Sequence, residues 1–99
     1  MKIEKKITNA SIAMKAISDS TRLAIVLMLM KKDVYVKEII KRYKIEPTLL
    51  SHHLNVLKKS GIITSKRIGK TVLYTIVPNI KTKGEKGLLL NGCKVIFPS

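Results

Sequence analysis

The sequence predicts a mainly α-helical domain with one small β-hairpin. Two observations support this fold class. Residues 36–59 contain two short amphipathic stretches separated by a turn that ends at Pro47, which indicates a helix-turn-helix. Residues 62–77 follow as two β-rich segments connected by Ile68-Gly69-Lys70, which indicates a hairpin, or wing. In this order the elements predict a winged helix-turn-helix.

Two further helices are expected upstream of this unit. Residues 1–17 carry an imperfect helical stripe of apolar side chains, made up of Ile3, Ile7, Ile12, Met14 and Ile17. Ser18-Asp19-Ser20 then supplies capping side chains for a second helix over residues 21–31, which is apolar enough to be buried nearly all round. A short extended piece at residues 33–35 leads into a third helix, Val36–Tyr43.

The fourth helix and the end of the chain are marked by turn residues. Pro47 suits the first turn of the fourth helix, and Gly61 suits its C-terminal cap. A polar stretch separates the winged helix-turn-helix domain, residues 1–77, from a tail, residues 78–99. Within the tail, Asn91-Gly92 between two apolar runs favours a hairpin. A short hairpin and a loosely ordered end are the two alternatives for the tail.

Charge restricts the class of partner. The chain of 99 residues carries 20 Lys and Arg against 6 Asp and Glu, a formal net charge of +14. This excess favours a polyanion, with nucleic acid the first expectation and an anionic membrane surface the second. The N-terminus lacks the apolar core of a signal peptide, and the longest apolar run, residues 23–30, is too short to span a bilayer. We therefore expect a cytoplasmic protein.

Catalytic and metal-binding patterns are weak. Cys93 is the single cysteine, which excludes an intrachain disulfide and a multi-cysteine zinc site. His52 and His53 are adjacent, and neighbouring helical side chains point about 100° apart, so the pair is poorly placed to bind one metal ion. Ser51 beside these histidines lacks the third group that would orient a catalytic base. We expect neither an enzyme nor a bound metal or cofactor.

The fourth helix carries the candidate base-contacting face. Leu50, Leu54 and Leu57 recur at helical spacing and are expected to face the core. The opposite side carries short hydrogen-bonding side chains, which are Thr48, Ser51, His52 and Asn55. Such groups can reach base edges from a helix in the major groove. An ordinary solvated face is the alternative, and the neighbouring helix, turn and basic hairpin favour DNA over it.

Basic residues surround this face. Lys66, Arg67 and Lys70 cluster around the hairpin turn, where they could contact phosphates or enter the minor groove. Further candidates for backbone contacts lie in and beside the two helices, namely Lys37, Lys44 and Lys58. Each phosphate neutralised should steepen the log–log salt dependence of binding by roughly 0.9.

Three stretches resemble the ArsR-type winged-helix repressors: KAISDSTRLAIVLML, VKEIIKRYKIEPTLLSHHLNVLKKSGII and KRIGKTVLYTIV. The resemblance implies a homodimer that represses transcription from its operator. It implies that the wing tip is residues 67–70 and that the recognition-helix positions are Thr48, Leu49, Ser51, His52, His53 and Asn55. For His53, packing beside Leu50 and Leu57 is the alternative. The resemblance also implies dimerisation through the first helix, residues 1–17, by Ile3, Ile7, Ile12, Met14 and Ile17.

The chain departs from the family pattern in three places. Tyr35-Val36-Lys37 occupies the place of the Cys-X-Cys that metal-sensing members carry, and a lysine ammonium cannot replace a thiolate. The tail lacks the pattern of the C-terminal helix that supplies metal ligands and part of the dimer interface in other members. Lys44 occupies a turn position where relatives often have glycine, and a positive φ there would cost lysine roughly 1 kcal/mol.

The resulting hypothesis is a dimeric, sequence-specific transcriptional repressor without the family's usual metal sensor. Two fourth helices roughly 34 Å apart would favour a pseudo-palindromic operator on double-stranded DNA. Two alternatives stay open. One is a redox- or ligand-responsive regulator of the same fold, in which Cys93 could form an intersubunit disulfide. The other is a winged-helix module for protein interaction or nucleic-acid packaging.

Overall fold

A computed structural model describes residues 5–82 and 86–97 of the chain, apart from the side chain of Lys6. These described residues form four helices, which are α1 (Lys5–Ala16), α2 (Ser20–Lys31), α3 (Val36–Tyr43) and α4 (Pro47–Lys59). They form five strands, which are β1 (Val34–Tyr35), β2 (Ile63–Ile68), β3 (Thr71–Ile76), β4 (Gly87–Leu90) and β5 (Cys93–Ile96). A 3-10 turn, Pro78–Ile80, follows β3. The predicted mainly α winged helix-turn-helix is confirmed.

One apolar core joins the helices to the strands. The centre of α2 contributes Ile25, Val26 and Leu29, all fully buried. Asp19 caps this helix, because its carboxylate accepts a hydrogen bond from the Arg22 backbone N–H at 3.0 Å. That bond holds the pKa of Asp19 below its ordinary value. The predicted capping segment therefore does begin α2, and the helix is anchored through the apolar residues that follow.

The wing is the outer part of a three-stranded antiparallel sheet. Its strand order is β1-β3-β2, and β2 pairs with β3 from Ile63 opposite Ile76 to Ile68 opposite Thr71. Gly69 makes the turn with a φ of 62°, which glycine adopts without steric cost. The Ile63 end is buried, whereas residues 66–70 are exposed. The hairpin thus has one end in the core and projects its basic tip into solvent.

The turn between α3 and α4 places Lys44 in the left-handed region, with φ 51° and ψ 41°. Its backbone N–H donates to the carbonyl oxygen of Ile40 at 2.7 Å, which closes the end of α3. A side chain with a Cβ atom is disfavoured in this conformation. Lys44 therefore has the positive φ that was considered for this turn position, and it bears the associated steric cost.

Replacing Lys44 with glycine should raise the free energy of unfolding by roughly 0.5–1 kcal/mol, because glycine adopts positive φ without strain. Lys41→Gly is the matched control, since Lys41 is an exposed lysine inside α3. That change should lower the free energy of unfolding by about 1 kcal/mol. Urea titration followed by circular dichroism measures both variants. Destabilisation by Lys44→Gly would contradict the assignment of strain to this position.

The tail forms the predicted hairpin. β4 and β5 pair in an antiparallel register around Asn91 and Gly92, which both have positive φ. Leu88 is fully buried, and Leu88, Leu90 and Phe97 belong to the same core as the helices. The alternative of a loosely ordered end is wrong for residues 86–97. The tail packs against the domain as part of its core.

Helix α1 has a buried side and exposed apolar side chains outside it. Ala10, Ala13 and Ala16 face the core. Ile17 follows the end of α1 and is also buried, with 8% of its surface exposed. The structure does not favour the predicted placement of Ile17 at a dimer interface, because its side chain is already enclosed within one protomer. The exposed apolar side chains of this segment are Ile7, Ile12 and Met14. The prediction for Ile3 lies outside the described residues.

Candidate nucleic-acid interface

Helix α4 divides into a buried and an exposed side as its leucine spacing predicts. Leu50, Leu54 and Leu57 are at most 2% exposed and fix the helix on the core. The polar side chains on the opposite side are all exposed, and they are Thr48, Ser51, His52 and Asn55. Leu49 is half-exposed. Five of the six predicted recognition positions therefore present their side chains to solvent on one helix.

A carboxylate fixes the start of α4. Glu46 Oε1 accepts from the Thr48 backbone N–H at 3.1 Å, and Oε2 accepts from the Leu49 backbone N–H at 3.0 Å. These bonds, Thr48 first, hold the pKa of Glu46 below its ordinary value. The stabilisation from this cap is therefore fully present above the ordinary pKa of a glutamate carboxyl, and it is lost as the pH falls through the lower pKa of the folded state. A glutamate immediately before a proline at the first helical position indicates such a cap. The sequence interpretation uses Pro47 alone to place the start of α4 and does not include the cap from Glu46.

His53 is the exception among the predicted recognition positions. It is 8% exposed, and its Nδ1 lies 3.2 Å from Nη1 of Arg22. A guanidinium is only a donor, so this imidazole nitrogen is the acceptor. The structure does not favour the predicted DNA contact of His53, because little of its ring is exposed and its Nδ1 faces Arg22 of α2. The alternative, packing with a hydrogen bond, is the one that the structure supports.

A groove runs between α4 and the sheet. It has a volume of about 470 Å³ and is lined mainly by the exposed polar side chains of α4 together with Lys58 and Tyr74. Lys58 Nζ donates to Ser65 Oγ at 2.9 Å, which links the C-terminal part of α4 to β2. This bond is one polar contact between the exposed side of α4 and the first strand of the wing. Tyr74 had no predicted role, because its position beside α4 depends on the pairing of β2 with β3.

The basic residues of the wing carry uncompensated charge. Lys66, Arg67 and Lys70 are exposed, and none of them forms an ion pair with a carboxylate in the part of the chain that the structure describes. Lys37 and Lys44 are exposed as well, in α3 and directly after it. Cations without acidic partners attract phosphates over a distance of about one Debye length. The surface formed by α3, α4 and the wing is thus electropositive around a polar helix face.

Tyr35, Val36 and Lys37, which occupy the position of the Cys-X-Cys motif of metal-sensing members, lie at the start of α3. Tyr35 ends β1 and caps α3, where its backbone N–H donates to Glu38 Oε1 at 3.2 Å. Within residues 5–82 and 86–97, no three His, Cys, Asp or Glu side chains lie close enough together to hold a metal ion. None of the helices over the same residues has the length and apolar character needed to cross a membrane.

Comparison with known proteins places these features in a family. Residues 19–65 match the family model described as "Bacterial regulatory protein, arsR family". The chain is 31% identical over 74 residues to the transcriptional activator HlyU of Vibrio cholerae, which covers 75% of this chain and 68% of HlyU. It is 35% identical over 63 residues to the HTH-type transcriptional repressor SmtB of Mycobacterium tuberculosis. That match covers 64% of this chain and 47% of SmtB, so the chain spans about half the length of this relative.

Solved structures agree with the sequence relatives. HlyU from Vibrio cholerae superposes with a TM-score of 0.71 at 31% identity, covering 75% of this chain and 80% of the other. The homodimeric winged helix-turn-helix DNA-binding domain of Mb0332 from Mycobacterium bovis superposes with a TM-score of 0.67 at 26% identity. The second match covers 71% of this chain and 65% of the other. The chain therefore belongs to the arsR family of bacterial regulatory proteins, which are winged helix-turn-helix transcriptional regulators.

Proposed function

We propose that this protein is a cytoplasmic, sequence-specific repressor that binds its operator as a homodimer. The observation that carries the proposal is the exposed polar side of α4 beside a wing whose cations have no acidic partner. Polar side chains on a helix supply contacts to bases, and unpaired cations supply contacts to phosphates. Repression is preferred over activation because a repressor needs only to occupy its operator. HlyU is named an activator and SmtB a repressor.

Side-chain chemistry decides which residues contact bases and which contact phosphates. Asn55 and His52 can both donate and accept hydrogen bonds at base edges, and the hydroxyls of Thr48 and Ser51 can do either. Leu49, half-exposed beside them, offers an apolar contact to a thymine methyl group. Phosphate contacts come from cations around this face, which are Lys37, Lys44, Lys58, Lys66, Arg67 and Lys70.

The dimer contact that we propose is the Ile7–Met14 side of α1. These two residues are seven positions apart and therefore lie on one side of the helix, with 56% and 44% of their surfaces exposed. Ile12 lies about 140° around the helix from Ile7, so it does not share this contact. A two-fold dimer with two α4 helices roughly 34 Å apart would bind a pseudo-palindromic site.

Replacing His52 with alanine should change the sequence preference, because a base contact is lost. We expect about 1–3 kcal/mol less discrimination at the affected base pair. Lys70→Ala is the matched comparison, since it should weaken binding to all sequences alike and reduce the salt slope by roughly 0.9. Selection of bound fragments from a random pool, done with each variant, measures the preference. An unchanged preference with His52→Ala would remove His52 from the base-contacting set.

A nucleic-acid packaging module is the rival function, and the net charge of +14 favours it. Packaging relies on phosphate contacts and gives nearly equal affinity for all sequences. Electrophoretic shifts with genomic fragments at several salt concentrations separate the two functions. Uniform affinities that decline together as salt rises would support packaging and reject the repressor.

A further inference from the structure

A second groove lies on the flank of α4 that faces α1 and α2, and we call it the α1–α4 groove. Its apolar floor is formed by Ile12, Ala16 and Val56, and its rim carries Lys15, Arg22 and Lys59. Its volume is about 330 Å³. Sites for small molecules occupy roughly 300–1,000 Å³, so the groove suits a compact ligand.

The charges of the groove define the ligand. No carboxylate lines it, and the ammonium groups of Lys15 and Lys59 have no hydrogen-bond or ion-pair partner among the described residues. Arg22 uses Nε and Nη1 in hydrogen bonds, which leaves Nη2 without a partner in the same part of the chain. Asp19 lies outside the lining, where it accepts from the Arg22 backbone N–H and attracts the Arg22 side chain electrostatically. Three cations around an apolar floor are complementary to a molecule with one acid group and an apolar body.

Arg22 connects this groove to the helix that contacts DNA. Its Nε donates to the carbonyl oxygen of Ala16 at 2.6 Å, and its Nη1 donates to Nδ1 of His53 at 3.2 Å. One guanidinium therefore joins the end of α1, the start of α2 and the middle of α4. His53 directly follows Ser51 and His52 on α4. A carboxylate that binds Arg22 in a bidentate pair takes both the free Nη2 and Nη1, and Nη1 is the atom that donates to His53. The acid group then competes with His53 for Nη1, so the ligand-bound state differs from the free state in how α4 is held.

We propose that the α1–α4 groove binds a small amphipathic carboxylate and that Arg22 and His53 transmit its binding to α4. The effect on DNA rests on the proposed function, whereas binding itself does not. Val56 lies about 100° around α4 from Asn55, so ligand and DNA approach different sides of the helix. The ligand acts on DNA affinity through the contact between Arg22 and His53, with no overlap with the bases.

Calorimetric titration with 2-naphthoate tests the site. Its apolar double ring matches the floor and its carboxylate the rim, and the neutral 2-naphthamide has nearly the same shape without the charge. We expect saturable binding of one naphthoate per protomer, with naphthamide at least tenfold weaker. Lys59→Gln should weaken naphthoate binding severalfold, whereas Lys41→Gln, an exposed lysine on α3, should not. No binding at millimolar naphthoate, equal binding of the amide, or no effect of Lys59→Gln would overturn the site.

A DNA titration tests the coupling. Saturating naphthoate should change the affinity for the operator by roughly fivefold or more. His53→Gln, with its melting temperature checked, should still bind naphthoate and lose most of this effect, because the competing acceptor has been altered. An unchanged DNA affinity in the wild-type protein would reject the coupling. Naphthoate binding without any sequence-specific DNA binding would leave the site standing and reject the proposed function instead.

Discussion

Replacing Leu88 with alanine should lower the free energy of unfolding by about 2–5 kcal/mol. Leu88 lies in β4 of the C-terminal hairpin and is fully buried in the core that the helices share. Removal of three carbon atoms from such a position loses transfer free energy and leaves a cavity. The hairpin should therefore unfold together with the helices, in a single transition measured by urea denaturation.

Leu89→Ala supplies the control. Leu89 is the next residue of the same strand, and it is 43% exposed. Its replacement should change stability by about 0.5 kcal/mol or less. Equal small effects of the two variants would contradict the packing of the tail into the core. The folded domain would then end near residue 77, which is the boundary between domain and tail that the sequence analysis predicts.

Removing two charges from the wing should produce the largest loss of DNA affinity. In the double variant Arg67→Ala/Lys70→Ala, two exposed cations without acidic partners are lost from the turn of the hairpin. The slope of log affinity against log salt should fall by roughly 0.9 for each phosphate contact, and thus by nearly two. Affinity should drop for all sequences alike, because phosphates carry no sequence information directly. Binding measured across a series of salt concentrations gives the slope.

The control removes equal charge at a distance from the wing. Lys31 ends α2 and Lys81 follows the 3-10 turn, and both are exposed. The double variant Lys31→Ala/Lys81→Ala should leave the slope almost unchanged. If both double variants reduce the slope equally, net charge and not the wing determines binding.

Local patterns were enough to predict most of the fold. The spacing of the leucines placed α4, and Gly69 and Asn91-Gly92 placed the two hairpin turns. In each case the determining interactions are between near neighbours in sequence, such as a helix stripe or a turn residue with positive φ. The exposed side of α4 followed from the same periodicity.

Contacts between distant residues were beyond those patterns. His53 is buried, and the partner of its ring is Arg22, which is 31 residues away in the sequence. Ile17 continues the side of α1 that carries Ala13, because its backbone N–H still donates to the Ala13 carbonyl oxygen, and this side faces the core. Periodicity within one helix shows which residues share a side but not what covers that side. The α1–α4 groove depends on the packing of three helices and has no pattern in the sequence.

The central claim is sequence-specific DNA binding, and one comparison of affinities tests it most directly. A duplex chosen by the protein from a random pool is compared with a scrambled duplex of equal length and composition, at physiological salt. We predict that the chosen duplex is pseudo-palindromic and binds at least roughly a thousandfold more tightly. Equal affinity for the two duplexes would contradict the account, because the polar side of α4 would then make no base contacts.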